Sequence, residues 1–167
     1  MSATLSAALE HEHRVIDRGI EIFADGANSR APSNVTAEQR DALVNAVEVL
    51  RRHIYLEEEY LFPPLRAAGM VGPVMVMVHE HAQMWPLLDQ IEESLADGNA
   101  ATAAQLCREL LAQLGSHNWK EERILYPQAD DTLSAADRDE LSELVATAQV
   151  PEDWVCHGAV KGDQTVS

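Results

Sequence analysis

The chain has 167 residues, the length of one ordinary domain, and 46% of them are hydrophobic, so its composition does not predict disorder. The 12 basic and 28 acidic side chains give a formal net charge of −16. This charge argues against nucleic acids and anionic membranes as partners, because both bind to basic surfaces, and it attracts cations instead.

Long segments with apolar residues at helical spacing alternate with clusters of glycine and proline. The predicted helices, in chain order, are one over 4–23, one after Thr36, one from near Pro73, one after Gly98 and a shorter one after Ser134. The segment from Thr36 to Gln39 has the form of a capping box, which favours a helix start there. Pro86 lies inside the third helix and is expected to bend it.

Glycine and proline clusters predict where these helices are interrupted. The interruptions are expected at 24–33, 63–72, 97–98 and 127–132. A sheet is not expected, because no turn signal lies between two alternating β-branched runs. Four long helices with short connections predict an all-α fold, an antiparallel up-and-down four-helix bundle. We expect this bundle over residues 1–130 and a short C-terminal helix and tail over 131–167.

The two halves of the chain repeat one pattern. The tripeptide HEH at 11–13 recurs at 79–81, and the pattern HxxxEExxLxP that begins at His53 recurs at His117. The order is the same in both halves, so the first two helices look like a copy of the next two. A bundle with this pseudo-twofold symmetry would bring both copies together around one central site.

Helical spacing predicts which histidines face the core, because residues three or four apart share a helix face. Each long helix has one histidine on its apolar stripe, and two of the helices add a glutamate four residues later. The predicted inward residues are His13, His53, Glu57, His81, His117 and Glu121. One inward histidine alone is read as a neutral core residue, but a buried carboxylate costs several kcal/mol unless it is paired or binds a cation.

No lysine or arginine at an inward position nearby is available to pair with these glutamates, so a metal is the simplest compensation. Four imidazoles and two carboxylates suit Fe, Mn, Co or Zn. The set is too large for one ion with an open position. With two ions, each takes two imidazoles, and Glu57 and Glu121 bridge them. Positions then stay open for water, an oxo or hydroxo bridge, or O₂.

At these residues the chain resembles the hemerythrin-like family of non-haem di-iron four-helix bundles, in particular its bacterial HHE cation-binding branch. The matching segments are 12–16, 53–57, 80–84 and 117–127. The resemblance implies an oxo- or hydroxo-bridged centre of two iron ions, with the six inward residues as ligands. It also implies small-molecule partners such as O₂, peroxide or NO.

One departure from the oxygen-carrying members of that family is informative. Those proteins have a fifth histidine one helical turn from the ligand of the third helix, whereas the positions around His81 are Met77 and Trp85 here. With one ligand fewer, reaction with peroxide, O₂ or NO is favoured over stable O₂ carriage. Tyr60 lies seven residues after His53 and is expected to face inward, either as core packing or as an additional ligand.

Other polar residues near the motifs receive weaker assignments. Glu58 and Glu122 are expected to be solvated or to orient a ligand imidazole. Glu12 and Glu80 have the same two alternatives, with the surface favoured, and Tyr126 is expected to be a structural residue at a helix end.

Three functions are compatible with the sequence. The first is a di-iron protein that binds or reacts with small oxidants, and the second is an oxygen- or iron-sensing or iron-handling protein without turnover. The third is a helical bundle without metal. The N-terminus lacks a basic and apolar leader, and the longest nearly apolar run, 71–78, is too short to cross a bilayer, so we expect a cytoplasmic protein without membrane contact. Catalytic residues and oligomeric state stay open.

Overall fold

The structure is a computed structural model that describes residues 4–27 and 35–159. Within these ranges the chain is helical and contains no strand, which confirms the predicted all-α bundle. The α-helices are α1 (Leu5–Ala27), α2 (Ala37–Leu56), α3 (Phe62–Ala67), α4 (Val71–Ala96), α5 (Ala100–Lys120), α6 (Tyr126–Thr132) and α7 (Ala135–Thr147). A π turn at Glu57–Leu61, π1, joins α2 to α3, and a second at Glu121–Leu125, π2, joins α5 to α6.

The interruption predicted at 24–33 is wrong at 24–27, which belong to α1, and its remaining residues, like the tail from residue 160 onward, lie outside the described residues. In the described part, α1 packs along α2 and α5, α4 packs along α5, and α7 lies against α1 and α2. None of the described helices is both long and apolar enough to cross a membrane.

Side-chain caps fix where the helices begin. The Thr36 hydroxyl accepts the Gln39 N–H, and the Gln39 side chain accepts the Thr36 N–H, so the predicted capping box is present. Asn99 caps α5 by accepting the Thr102 N–H, and Ser134 caps α7 in the same way. The helix starts predicted after Thr36 and Ser134 are therefore confirmed.

The interruption predicted at 127–132 is wrong, because α6 continues to Thr132, and the one predicted at 63–72 is confirmed only at 68–70, since the chain stays helical from Pro63 to Ala67. Pro63 and Pro127 each lie in the first turn of the helix that follows a π turn. Proline is tolerated there because it lacks only an N–H that the first turn does not use. The second and fourth long helices therefore continue past the predicted site.

The apolar core consists of two clusters with a polar layer between them. On α1, Leu9 belongs to one cluster and Ile16 to the other, and the buried His13 lies between them. His81 occupies the same kind of position on α4. Packing on both sides of this layer excludes water from it and holds its side chains in place.

Candidate metal centre

The six predicted inward residues are all buried, with no more than 3% of any of them exposed. Their polar atoms converge in the layer between the two core clusters and form two groups that could hold a metal ion. The His81 group consists of Glu57, His81, His117 and Glu121, and the His13 group consists of His13, His53 and Glu121. Within each group the ligand atoms lie within 4.8 Å of one another.

The imidazoles approach each other in pairs through their Nε2 atoms. His13 Nε2 lies 3.1 Å from His53 Nε2, and His81 Nε2 lies 3.2 Å from His117 Nε2. Each pair joins two neighbouring helices, α1 with α2 and α4 with α5. The two pairs are related by the internal repeat.

Each of the four imidazoles directs its other nitrogen, Nδ1, at a carboxylate. The pairs and their Nδ1–O distances are His13–Glu122 at 2.8 Å, His53–Glu12 at 3.0 Å, His81–Glu58 at 2.7 Å and His117–Glu80 at 2.9 Å. An ionised carboxylate only accepts hydrogen bonds, so Nδ1 carries the hydrogen. A neutral ring then has its lone pair on Nε2. In each histidine pair the two Nε2 lone pairs therefore point into the same small space. A cation in that space would remove the repulsion between them.

These carboxylates also follow the repeat, because Glu12 corresponds to Glu80 and Glu58 to Glu122. Glu58 and Glu122 orient imidazoles, one of the two roles expected for them. The surface position expected for Glu12 is wrong, since only 7% of it is exposed, and Glu80 is half-buried. Each of these two glutamates bonds the histidine of the neighbouring helix, so the HEH tripeptide supplies a candidate ligand and a support for a second candidate ligand.

Glu57 and Glu121 each reach both groups. Glu57 Oε1 is 3.2 Å from His81 Nε2, and its Oε2 is 3.4 Å from His53 Nε2. Glu121 Oε1 is 3.1 Å from His13 Nε2, and its Oε2 is 3.2 Å from His117 Nε2. This is the arrangement that two carboxylates bridging a pair of ions require.

Two carboxylate oxygens in this layer lack a hydrogen bond. Among the residues that the structure describes, none makes a well-aligned hydrogen bond to Glu57 Oε1 or to Glu121 Oε2, although both atoms are fully buried and each lies 3.2 Å from an imidazole Nε2. An unsatisfied buried carboxylate oxygen is costly, and a coordinated cation removes that cost. Both oxygens belong to residues of the His81 group, so the side chains present there fit a metal ion.

The His13 group differs from the His81 group by one hydroxyl. Tyr126 is fully buried, and its phenol oxygen lies 3.0 Å from both His13 Nε2 and His53 Nε2. It also lies 2.8 Å from Glu57 Oε2 and 3.1 Å from Glu121 Oε1. One hydroxyl hydrogen can satisfy only one of these four neighbours. Tyr126 is therefore a functional candidate rather than only the helix-end residue that the sequence suggested.

Phe62 corresponds to Tyr126 in the repeat and cannot supply this oxygen. The two rings occupy equivalent places: Phe62 stacks on His81 with ring centroids 5.7 Å apart, and Tyr126 stacks on His13 at 5.5 Å. The replacement of one side chain in the repeat thus makes the two halves of the centre chemically unequal.

Tyr60, the residue predicted as an additional ligand, does not face the centre. It is 40% exposed, and its ring contacts the Tyr55 ring. The prediction counted seven residues from His53 along a regular α-helix, but π1 lies between them, and its i→i+5 hydrogen bonding changes the period. The face that the α-helical count assigned to Tyr60 is therefore wrong.

Both π turns begin at a candidate bridging residue, Glu57 in π1 and Glu121 in π2. The wider turn adds a residue between the glutamate and the following aromatic residue. π turns inside α-helices are frequent at functional sites. Helical periodicity alone does not indicate them, although the repeated HxxxEE pattern marks both positions.

The metal-free cluster balances its charges with protons. Burial opposes charge on His117, but Glu121 and Glu80 beside it raise its pKa to about 10. Burial likewise opposes charge on His53, and Glu57 and Glu12 nevertheless raise its pKa well above the ordinary value. Protons on imidazoles thus occupy the role that a metal cation would take.

The pKa values of the Glu121 carboxyl and the Tyr126 phenol are shifted in opposite directions. Burial alone would raise the pKa of Glu121, but His117 and His13 hold it well below the ordinary value. Burial and the nearby Glu121 and Glu57 raise the pKa of Tyr126 well above its ordinary value. Tyr126 is therefore a neutral phenol in the metal-free protein, and a cation is needed to favour its anion.

Comparison with known proteins places this geometry in a family. The family description "Hemerythrin HHE cation binding domain" matches residues 4–129. Uncharacterized proteins of Mycobacterium tuberculosis and Mycobacterium bovis are 28% identical over 155 residues, which covers 81% of this chain and 57% of each relative. The chain thus spans just over half the length of these curated relatives. No solved structure matches the chain.

Proposed function

The chain belongs to the hemerythrin family of HHE cation-binding domains, and we propose that it is a non-haem di-iron protein that binds or reacts with O₂, hydrogen peroxide or NO. The observation that carries the proposal is the pair of buried His/Glu groups that share Glu121. The coarser conclusion, a hemerythrin-like protein with a cluster able to hold a metal, follows from the family and from this geometry.

In the proposed centre, His13 and His53 would hold one ion, and His81 and His117 would hold the other. Glu57 and Glu121 would be shared by the two, since each has one oxygen near each histidine pair. Imidazole nitrogen and carboxylate oxygen suit iron, which would supply the electron transfer to a small oxidant.

The protein contributes orientation and charge to this centre. The Nδ1-bonded carboxylates fix the ring orientation of each ligand and make its Nε2 more basic. Two of these carboxylates are themselves paired with cations, Glu12 with Arg52 and Glu80 with Lys120. These pairs hold the carboxylates in position while leaving Nε2 free for an ion.

The missing fifth histidine supports reaction over stable carriage. Met77, one turn before His81, is buried, and Trp85, one turn after it, is 7% exposed. These side chains form apolar walls and offer no imidazole. Tyr126 adds an oxygen on the opposite half, near His13. The lower number of nitrogen ligands favours turnover of a bound oxidant.

The alternative is an iron-handling or oxygen-sensing protein without turnover, and the net charge of −16 is the observation that favours it. Peroxide consumption separates the two functions. The iron-loaded protein consumes peroxide if it is an enzyme, whereas a sensor or carrier forms a stable coloured adduct without consuming it.

Metal content tests the proposal directly. We expect about two irons per chain in protein expressed with added iron and purified without a chelating tag. His117→Ala and Glu121→Gln should lose bound iron. Each variant should be about 3–5 kcal/mol less stable to unfolding than the iron-loaded wild-type protein, because each leaves buried charges unpaired. His79→Ala is the matched control, since His79 is an exposed histidine of the same HEH repeat.

Zinc alone, or one ion per chain, would contradict the di-iron assignment. A folded chain without metal would contradict metal binding as its function and would favour the purely structural bundle. Full metal content in both His117→Ala and Glu121→Gln would show that the ligands lie elsewhere.

A further inference from the structure

The segment 154–158, which we call the C-terminal strap, packs across the bundle beyond the residues that the family description matches. Cys156 is fully buried, and the Trp154 ring contacts the Trp85 ring with centroids 5.5 Å apart. A Cβ atom built on Gly158 would lie 2.6 Å from the Ala82 Cβ on α4. The strap therefore sits too close to α4 at this point to admit a larger side chain.

Hydrogen bonds connect the strap to the candidate metal centre. The backbone N–H of His157 donates to Glu58 Oε1 over 2.8 Å. The other oxygen of Glu58, Oε2, accepts from His81 Nδ1 over 2.7 Å. One carboxylate thus links a backbone amide of the strap to a candidate ligand. The strap is held beside it by a hydrogen bond of 2.9 Å from Trp154 Nε1 to Glu59 Oε1.

The pseudo-twofold symmetry supplies a comparison within the same chain. Glu122 corresponds to Glu58 and makes the equivalent bond to His13 Nδ1, at 2.8 Å against 2.7 Å. The Glu58 side chain is fully buried, whereas 33% of the Glu122 side chain is exposed. The bond to imidazole is therefore common to both halves, and the covering strap is found at Glu58.

We propose that the strap positions Glu58 and, through it, His81, so that an ion in the His81 group is released more slowly than it would be without the strap. This inference rests on the proposed metal centre. A carboxylate that also accepts a backbone N–H has fewer orientations open to it, and water cannot compete for its buried oxygen. The imidazole it supports is then held in its ligand orientation.

Two substitutions at His157, compared with each other, isolate the backbone hydrogen bond. The chain enters a helical turn at residue 157, where proline is tolerated, so His157→Pro deletes the N–H that reaches Glu58. His157→Ala keeps that N–H but removes the half-exposed imidazole with its 2.9 Å contact to Glu59 Oε1, which His157→Pro removes as well, so the difference between the two variants reports the N–H. Gly158→Leu is a second, independent variant, because its side chain would collide with Ala82 and lift the strap.

The experiment measures iron release from the loaded full-length protein to a chelator, after the iron content of each variant has been determined. We expect His157→Pro and Gly158→Leu to accelerate the release of one iron about fivefold, below the 10–100-fold effect typical of deleting a supporting carboxylate. The other iron, and both irons of His157→Ala, should be released within about twofold of the wild-type rate.

Combining His157→Pro with Glu58→Gln or with Glu122→Gln tests whether the strap acts on iron release through Glu58. His157→Pro should add nothing to Glu58→Gln, but it should keep its effect in Glu122→Gln. Wild-type protein with two irons and unchanged release in both strap variants would overturn the strap inference and leave the metal centre intact. Equal acceleration of both irons would overturn it as well, because that result indicates general loosening. A wild-type chain that takes up no metal would overturn both proposals.

Discussion

At the scale of single residues, the centre contains more buried hydrogen-bond acceptors than donors. Each candidate imidazole lies between a carboxylate at Nδ1 and a second imidazole at Nε2, and two buried carboxylate oxygens receive no hydrogen bond from any described residue. Groups of this kind are stable in an apolar core only with added positive charge. Protons supply that charge in the metal-free protein, and the same atoms would bind metal.

Protons and metal should therefore compete, which predicts that stability depends on pH differently in the metal-free and the iron-loaded protein. Burial opposes charge on His117, but Glu121, Glu80 and Glu57 raise its pKa from 6.5 to about 10 in the metal-free fold. A raised folded-state pKa gives stability that is complete below about pH 6.5 and is lost as the pH rises towards 10. The melting temperature of metal-free protein should fall over that range, while iron-loaded protein should not show this loss. Equal profiles with and without iron, measured by thermal unfolding, would contradict it.

Tyr126 should be visible in the spectrum of the iron-loaded protein. Its phenol oxygen lies 3.0 Å from His13 Nε2, so a ferric ion in the His13 group would favour the phenolate and produce a charge-transfer band in the visible range. Tyr126→Phe should abolish that band while leaving iron in the His81 group. Tyr55→Phe is the control, because that ring lies against Tyr60 and Trp154. A band that persists in Tyr126→Phe would mean that the phenol does not bind iron.

At the scale of helices, the π turns set the rotation about the helix axis between Glu57 or Glu121 and the aromatic ring that stacks on a candidate ligand. In π2, Glu121 begins the turn, and Tyr126 follows its last residue. A π turn holds one residue more than an α-helical turn. If the same span were a regular α-helix, that additional residue would place Tyr126 about 100° further around the helix axis, away from the centre. The wider turn is thus what lets a glutamate and an aromatic ring of one helix face the same point.

Adding one residue to π2 tests this role. Insertion of one alanine after Arg123, which is exposed, should turn Tyr126 by about 100° away from the centre, because π2 already holds one residue more than an α-helical turn. We expect a loss of about 3–5 kcal/mol in the free energy of unfolding, comparable to losing a large buried side chain. Arg123→Ala keeps the residue count and should change stability by no more than about 0.5 kcal/mol. Denaturant unfolding compares the two, and similar stabilities would show that the π turn does not set this geometry.

At the scale of the whole molecule, the repeat made most of the centre predictable. Helical spacing identified the six inward residues, because the helices that carry them are regular up to the two glutamates. Beyond Glu57 and Glu121 the same count fails, and it misassigned Tyr60 and overlooked Tyr126. The support from Glu12 and Glu80 was the less favoured of their two expected roles, since it depends on contacts between helices rather than on the face of one helix.

The unequal halves predict an order of metal loading. The His81 group contains both carboxylate oxygens that lack a hydrogen bond, whereas the His13 group surrounds a phenol whose pKa is raised by burial and by Glu121 and Glu57. The first ion should therefore enter the His81 group, where no phenol must lose its proton. His53→Ala should keep about one tightly bound iron per chain, and His117→Ala should lose that tight site. Titration with ferrous iron under anaerobic conditions measures both. A tight site that survives in His117→Ala and disappears in His53→Ala would contradict this order. It would mean that the Tyr126 oxygen raises the iron affinity of the His13 group by more than the loss of its proton lowers it.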